Sequence, residues 1–146
     1  MRILRPILAV VAGYLVMVIF VTVLTVALAL ALGTEGVFEP GTFHIKPFVT
    51  IVAVPIGAIN GVLGGFVCSR IARTCTPVIV LVCLVIVLGL GEAVVRLQRP
   101  DPGPRAADLS FAEATVRANP PSWFAFTHPL VGAVGILLGG RRDWSN

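Results

Sequence analysis

Glu92 and His128 are the acid and the imidazole that stand inside long apolar runs of this chain. An ionisable group at membrane depth is costly enough to mark a candidate functional site. Counted along a helix that opens at Pro77, Glu92 lies roughly 22 Å into a hydrocarbon layer of about 30 Å, close to its outer edge. His128, counted back from Gly140, lies roughly 18 Å above the inner boundary, within a turn of the same depth. Adjacent helices would let the two share a proton, and a histidine titrating near neutral pH suits proton coupling or pH sensing. Arg96 offers a competing arrangement. It follows Glu92 by four residues on the same helix face, so the two can ionise as a pair wetted from outside. His128, just before Pro129, then reads as an interfacial residue at a helix start. Asn60 lies in another apolar run, where its amide can bond across to a neighbouring helix for roughly 0.6–2 kcal/mol. His44 adds a second imidazole on the outer side, but two histidines so far apart in sequence assign no metal, and no cofactor is assigned.

What surrounds these residues decides the class of protein. The 146-residue chain is 57% hydrophobic and 12% charged, against about 25% charged in a soluble globular domain. That supply of charge cannot coat a water-soluble surface, and the apolar residues come in unbroken blocks of bilayer-crossing length. The net charge of +4 comes from single or paired basic residues scattered along the loops, with no basic stripe. It serves membrane orientation, not nucleic-acid binding. Cys68, Cys75 and Cys83 lack both a disulfide framework and the close pairing of a zinc or redox site. No HExxH helix, GxSxG elbow or P-loop occurs, and no Ser/Lys or Ser/His arrangement is placed for catalysis. The sequence therefore predicts no enzyme.

Four spans are expected, at about residues 6–32, 48–68, 77–95 and 123–140, giving an all-α, polytopic integral membrane four-helix bundle. The first is too long for a cleaved signal peptide, whose apolar core is roughly 7–15 residues, so it is read as an anchor despite the Ala27–Ala29–Ala31 run. Thr22 and Thr25 within it can bond back to helix carbonyls. Pro55 is expected to kink the second span, and His128–Pro129 to interrupt the fourth. Arg2, Arg5, Arg70, Arg73, Arg141 and Arg142 gather on one side with only Asp143 against them. Lys46, Arg96, Arg99, Arg105 and Arg117 on the other side are balanced by Glu35, Glu39, Asp101, Asp108 and Glu113. The positive-inside rule then makes the N- and C-termini cytoplasmic. Trp123 and Trp144 fall at opposite edges of the fourth span, as interfacial anchors do.

The outer loops are residues 33–47 and 96–122. The first holds FEPGTF, whose Pro40–Gly41 signals a tight turn. The second opens with RPDPGP and then offers Ser110 and Glu113 at capping-box spacing. A short surface helix over 108–118 follows, with Leu109, Ala112 and Val116 on one face and Phe111 and Ala118 on an adjoining one. It lies on the membrane surface or across the mouth of the bundle.

Gly57, Gly61 and Gly65 recur every four residues in the second span, and Gly135 and Gly139 repeat the spacing in the fourth. Such stripes form grooves for close helix contact, within the bundle or between copies. FEPGTF, GGFVCSRIAR (64–73) and PPSWFAFTHPLVGAVGILLGGRR (120–142) together resemble a group of small bacterial four-span membrane proteins with no known activity. The resemblance implies the four-span fold and a bacterial inner (cell) membrane, and carries no functional residue with it. Small multidrug exporters also have four spans and a membrane glutamate, but theirs is in the first span and Glu92 is in the third. Two functions remain. One is a structural or accessory component that packs or oligomerises through its glycine-rich helices, with the lipid bilayer and a homo-oligomer or membrane-protein partner around it. The other is a small oligomeric transporter or channel using Glu92 and His128.

Overall fold

A run of Val, Leu, Ile and Ala in an apolar surrounding has no water for its backbone N–H and C=O groups, and the helix satisfies them within the segment. The computed structural model follows that rule. It describes residues 4–100, 102–106 and 108–141. Arg2, Asp101, Arg142, Asp143 and Trp144 lie outside that set. The helices are α1 (Leu4–Val37), α2 (Pro47–Ala72), α3 (Thr76–Leu97), the short α4 (Phe111–Val116) and α5 (Ser122–Gly140). All but α4 are long and apolar enough to cross a membrane. Their outward faces present aliphatic side chains such as Leu30, Val87 and Ile51.

The boundaries differ from expectation where the backbone finds extra partners. Helix α1 runs five residues past Leu32, through Gly33 in a left-handed conformation (φ 62°) that breaks its axis. A further turn then closes with the Phe38 N–H donating to the Thr34 carbonyl. Helix α5 continues through Pro129 and α2 through Pro55, so neither proline ends its helix. Pro129 packs over Gly89 of α3. Pro77 sits in the first turn of α3, where a missing N–H costs nothing. Thr22 and Thr25 donate to the carbonyls of Val18 and Val21, both at 2.8 Å.

Helix α2 packs most extensively on α5 and next on α1, α3 packs on α5, and α1 meets α3 more sparingly, whereas α1 and α5 hardly touch. The pattern is a ring in the order α1–α2–α5–α3, with α1 diagonal to α5. The α2–α5 seam is glycine on glycine. A methyl added at Gly61 would collide with the Gly132 carbonyl oxygen, and one at Gly65 with that of Ile136. From the other side, methyls at Gly135 and Gly139 would strike the carbonyls of Ala58 and Val62. Backbone therefore lies directly on backbone, the arrangement that gives van der Waals and Cα–H···O contact between helices in lipid. Both grooves are filled within one chain.

Near the termini the ring is solid. Ala9, Met17, Cys68, Ala72, Val78, Leu81 and Ile136 form one core, with Gly13 of α1 against Gly64, Cys68 and Leu81. Arg5 donates from Nε to the Ile71 carbonyl at 2.8 Å, satisfying an oxygen left open at the end of α2. We expect Gly61→Ala to lower stability by about 1–3 kcal/mol or more, because two backbones must move apart. Gly91→Ala, which meets no atom within 4 Å, should be neutral or gain up to about 1 kcal/mol through helix propensity. Thermal unfolding in micelles, followed by circular dichroism, compares the two.

Candidate functional site

Away from the termini the ring opens. Side chains from α1, α2, α3 and α5 enclose a cavity of about 470 Å³, within the roughly 300–1,000 Å³ of small-molecule sites. The seam holds α2 to α5, while α1 and α3 approach each other at Gly13 and Leu81 and diverge beyond. Val18 and Val21 of α1 and Leu88 of α3 line the cavity yet remain 40%, 44% and 49% exposed. The opening is therefore lateral, between α1 and α3. Ile45, Thr115, Ala118 and Pro120 lie over the loop end.

Four of the residues singled out from sequence line this cavity: Asn60, Glu92, Arg96 and His128. Glu92 sits at its rim, with a side chain 62% exposed, and Oε1 accepts from Arg96 Nη2 at 2.6 Å and Nε at 3.0 Å. Arg96 Nη1 also donates to the Ala118 carbonyl at 3.0 Å, which ties the pair to the loop. No hydrogen bond or ion pair joins Glu92 to His128 among the described residues.

His128 stands six residues inside α5, not at a helix start. Its ring lies over Gly57, where a methyl would come within 2.5 Å of Cε1, and stacks on Phe124 at 4.9 Å. The glycine at 57 thus makes room for an imidazole, whereas Gly61, Gly65, Gly135 and Gly139 make room for backbone. Nδ1 is buried without a partner among the described residues, and so is Asn60 Oδ1. The cross-helix bond expected of Asn60 is not formed: the residue lines the cavity and its Oδ1 has no partner among the described residues. Tyr14 of α1 also lines the cavity, and its hydroxyl has no hydrogen-bond partner among the described residues. It is the chain's single tyrosine, set in an aliphatic run, and that setting was the signal by which it could have been found.

The roof is an ordered cap built by both long loops. Pro40 and Gly41 (φ 69°) make the expected turn, closed by the Thr42 N–H on the Glu39 carbonyl at 3.2 Å. Phe38 and Ile45 pair across it, and His44 pairs with Asn119 of the second loop. Val37, Phe38, Phe43 and Ala114 form a small core of their own. The capping box of α4 is present, with Ser110 and Glu113 bonded reciprocally. The helix is shorter than the expected 108–118, and its buried face is Ala114 with Phe111 and Ala118 beside it. Val116, on the other expected face, is 72% exposed, because the cap lies on the Phe111 side.

Arg105 holds the cap together. Its side chain is 1% exposed, with Nε donating to the Thr42 carbonyl at 2.9 Å and Nη2 to Glu35 Oε1 at 2.6 Å. Its backbone N–H donates to the Gly41 carbonyl at 2.8 Å, and its guanidinium lies over the Phe38 ring. Nothing in the sequence separates it from the other loop arginines.

Arg105→Met should open the cap locally by about 2 kcal/mol, a roughly 30-fold rise in amide exchange at Asn119 and Lys46, with α2 and α5 unchanged. The pH response of α4 follows from Glu113. Hydrogen bonds from the Ser110 side chain and then its backbone hold this carboxyl below its ordinary 4.5, with the Arg117 charge adding to the effect. A depressed folded pKa stabilises fully above the ordinary value and is lost as pH falls through the depressed one. Protection of the Ala114 amide should hold at neutral pH and decline below about pH 4.5, and Ser110→Ala should flatten that decline. Comparisons with protein-family models, curated proteins and solved structures find no match for this chain.

Proposed function

We propose that the chain is an integral protein of a bacterial inner membrane, with both termini cytoplasmic, that acts as a structural or accessory component and not as an enzyme. The observation that carries this reading is the state of Glu92. The acid best suited to proton coupling is at the exposed rim of the cavity and bound through two nitrogens to Arg96, in the manner of a surface pair. Closure of the glycine grooves on each other supports it further, since a rigid seam between α2 and α5 leaves no freedom for those helices to rock. A homo-oligomer or membrane-protein partner would then meet the aliphatic perimeter of the bundle, because the glycine stripes face inward.

A small oligomeric transporter or channel is the second reading, and one observation favours it: Glu92 and His128 line the same cavity. Proteoliposomes carrying a pH gradient and a trapped pH dye distinguish the two. The accessory reading expects flux at the level of protein-free vesicles, unchanged by Glu92→Gln. It also expects that substitution to alter stability by less than about 1 kcal/mol, as for an exposed ion pair. Flux above the vesicle background that Glu92→Gln abolishes would put transport in its place.

A further inference from the structure

Beside the large cavity lies a smaller one of about 220 Å³, lined by Arg96, Arg99 and Arg117 together with Val116 and two prolines. Arg96 and Ala118 line both, so the two spaces adjoin at the loop end of α3. A guanidinium carries five N–H groups and stays charged. Arg96 spends three of them, on Glu92 and on the Ala118 carbonyl. Arg99 and Arg117 make no hydrogen bond or ion pair among the described residues. Both are exposed, so their donors are open to a ligand. Glu113, one turn before Arg117, bonds to Ser110 and feels Arg117 only through its charge. Among the described residues lining the two spaces, three guanidiniums stand against the one carboxylate of Glu92. The site is a seat for an anion.

Depth decides which kind of anion. Counted from Pro77, Arg96 lies roughly 28 Å along α3, at the edge of a hydrocarbon layer of about 30 Å. Arg99 stands beyond the last residue of that helix, at the level of lipid phosphates. From Arg96 the large cavity leads back between the helices and opens sideways past Val18, Val21 and Leu88. Val116, the exposed apolar residue of α4, borders the smaller space. Open guanidiniums next to an apolar, laterally open space match the two parts of a phospholipid. A free anion would use only the first of them. A zwitterionic headgroup would bring an ammonium to a place whose described lining offers only the carboxylate of Glu92, already bonded to Arg96.

From these features we propose that the loop end of the bundle binds an anionic phospholipid. Arg99 and Arg117 donate to its phosphate, joined by the remaining N–H groups of Arg96, and its acyl chains run along the opening between α1 and α3. The proposal concerns binding alone. It goes beyond the accessory reading and does not depend on it, since a lipid seat can sit in either class of protein.

The test uses the full-length protein in micelles of a neutral detergent. The probes are dioctanoyl phosphatidylglycerol, dioctanoyl phosphatidylcholine and inorganic phosphate. Phosphatidylglycerol at roughly a hundredfold excess over its Kd should raise the thermal midpoint by roughly 5 °C or more. Phosphatidylcholine at the same concentration should raise it far less, and phosphate alone not at all. Arg99→Gln and Arg117→Gln should each weaken phosphatidylglycerol binding roughly fivefold, the worth of one basic residue at an anionic lipid surface. Arg73→Gln, an equal loss of charge at the other end of the bundle, should leave it unchanged. Stabilisation by phosphate as large as by phosphatidylglycerol would mean a site for a free anion and would overturn the proposal. Equal response to the two lipids would overturn it too, as would no shift with any probe. So would unchanged affinity in both loop-end variants, or a loss in Arg73→Gln that equals theirs. The comparison of the probes on the wild-type chain stands even if a variant folds poorly.

Discussion

Everything in this molecule depends on how closely α2 and α5 approach. Within lipid no hydrophobic force draws two apolar helices together, since acyl chains solvate them as well as a neighbour does. What remains is contact, and contact is greatest where nothing stands between the backbones. Gly61 and Gly65 meet Gly132 and Ile136, and Gly135 and Gly139 meet Ala58 and Val62. Once α2 and α5 are locked, the other two long helices must arrange themselves around a narrow pair. They close on it near the termini through Gly13 and Leu81, and they spread apart beyond. The cavity is the geometric remainder of a seam tight at one place and helices of full width at another.

The loop end is organised by a different force. Burying a guanidinium is expensive unless its donors are used, and Arg105 uses its side chain on a carbonyl and a carboxylate, with an aromatic face beneath it. Glu35, its anionic partner, stays 68% exposed, so only one charge is taken fully from water. The two loops thereby behave as one unit. Arg96 links that unit to the rim of the cavity through the Ala118 carbonyl, so the site and its cover share a residue.

The helices were readable from composition and run length because a long apolar block has few other ways to satisfy its backbone. Glu92 with Arg96, Ser110 with Glu113, and Pro40 with Gly41 were readable because each is a local pairing at fixed spacing. The misreadings at the site and its cover involve contact between distant segments. Pro129 looked like an interruption, but it packs over Gly89, and that packing is invisible along the chain. Asn60 was given a partner on a neighbouring helix because an amide in lipid ought to have one. Arg105 was counted as one charge among several, since its burial depends on a turn more than sixty residues earlier. The cavity itself could not be read from the sequence, because it arises from helix splay, which no single segment encodes.

One consequence follows from the unequal lengths of the helices. Before its break at Gly33, α1 extends about 43 Å, whereas the 19 residues of α5 reach only about 28 Å. A hydrocarbon layer of about 30 Å matches α5 and is overshot by α1, so α1 must lean or the bilayer must thicken on its side. In a bilayer of that thickness an upright α1 would leave the lipid thinner against the α5 flank than against its own, whereas a leaning α1 would not. A mismatch of this kind costs a fraction of a kcal/mol per Å and can sort proteins by membrane thickness. The left-handed residue at position 33 limits the excess, because it turns the last turn of α1 away from the axis of the helix.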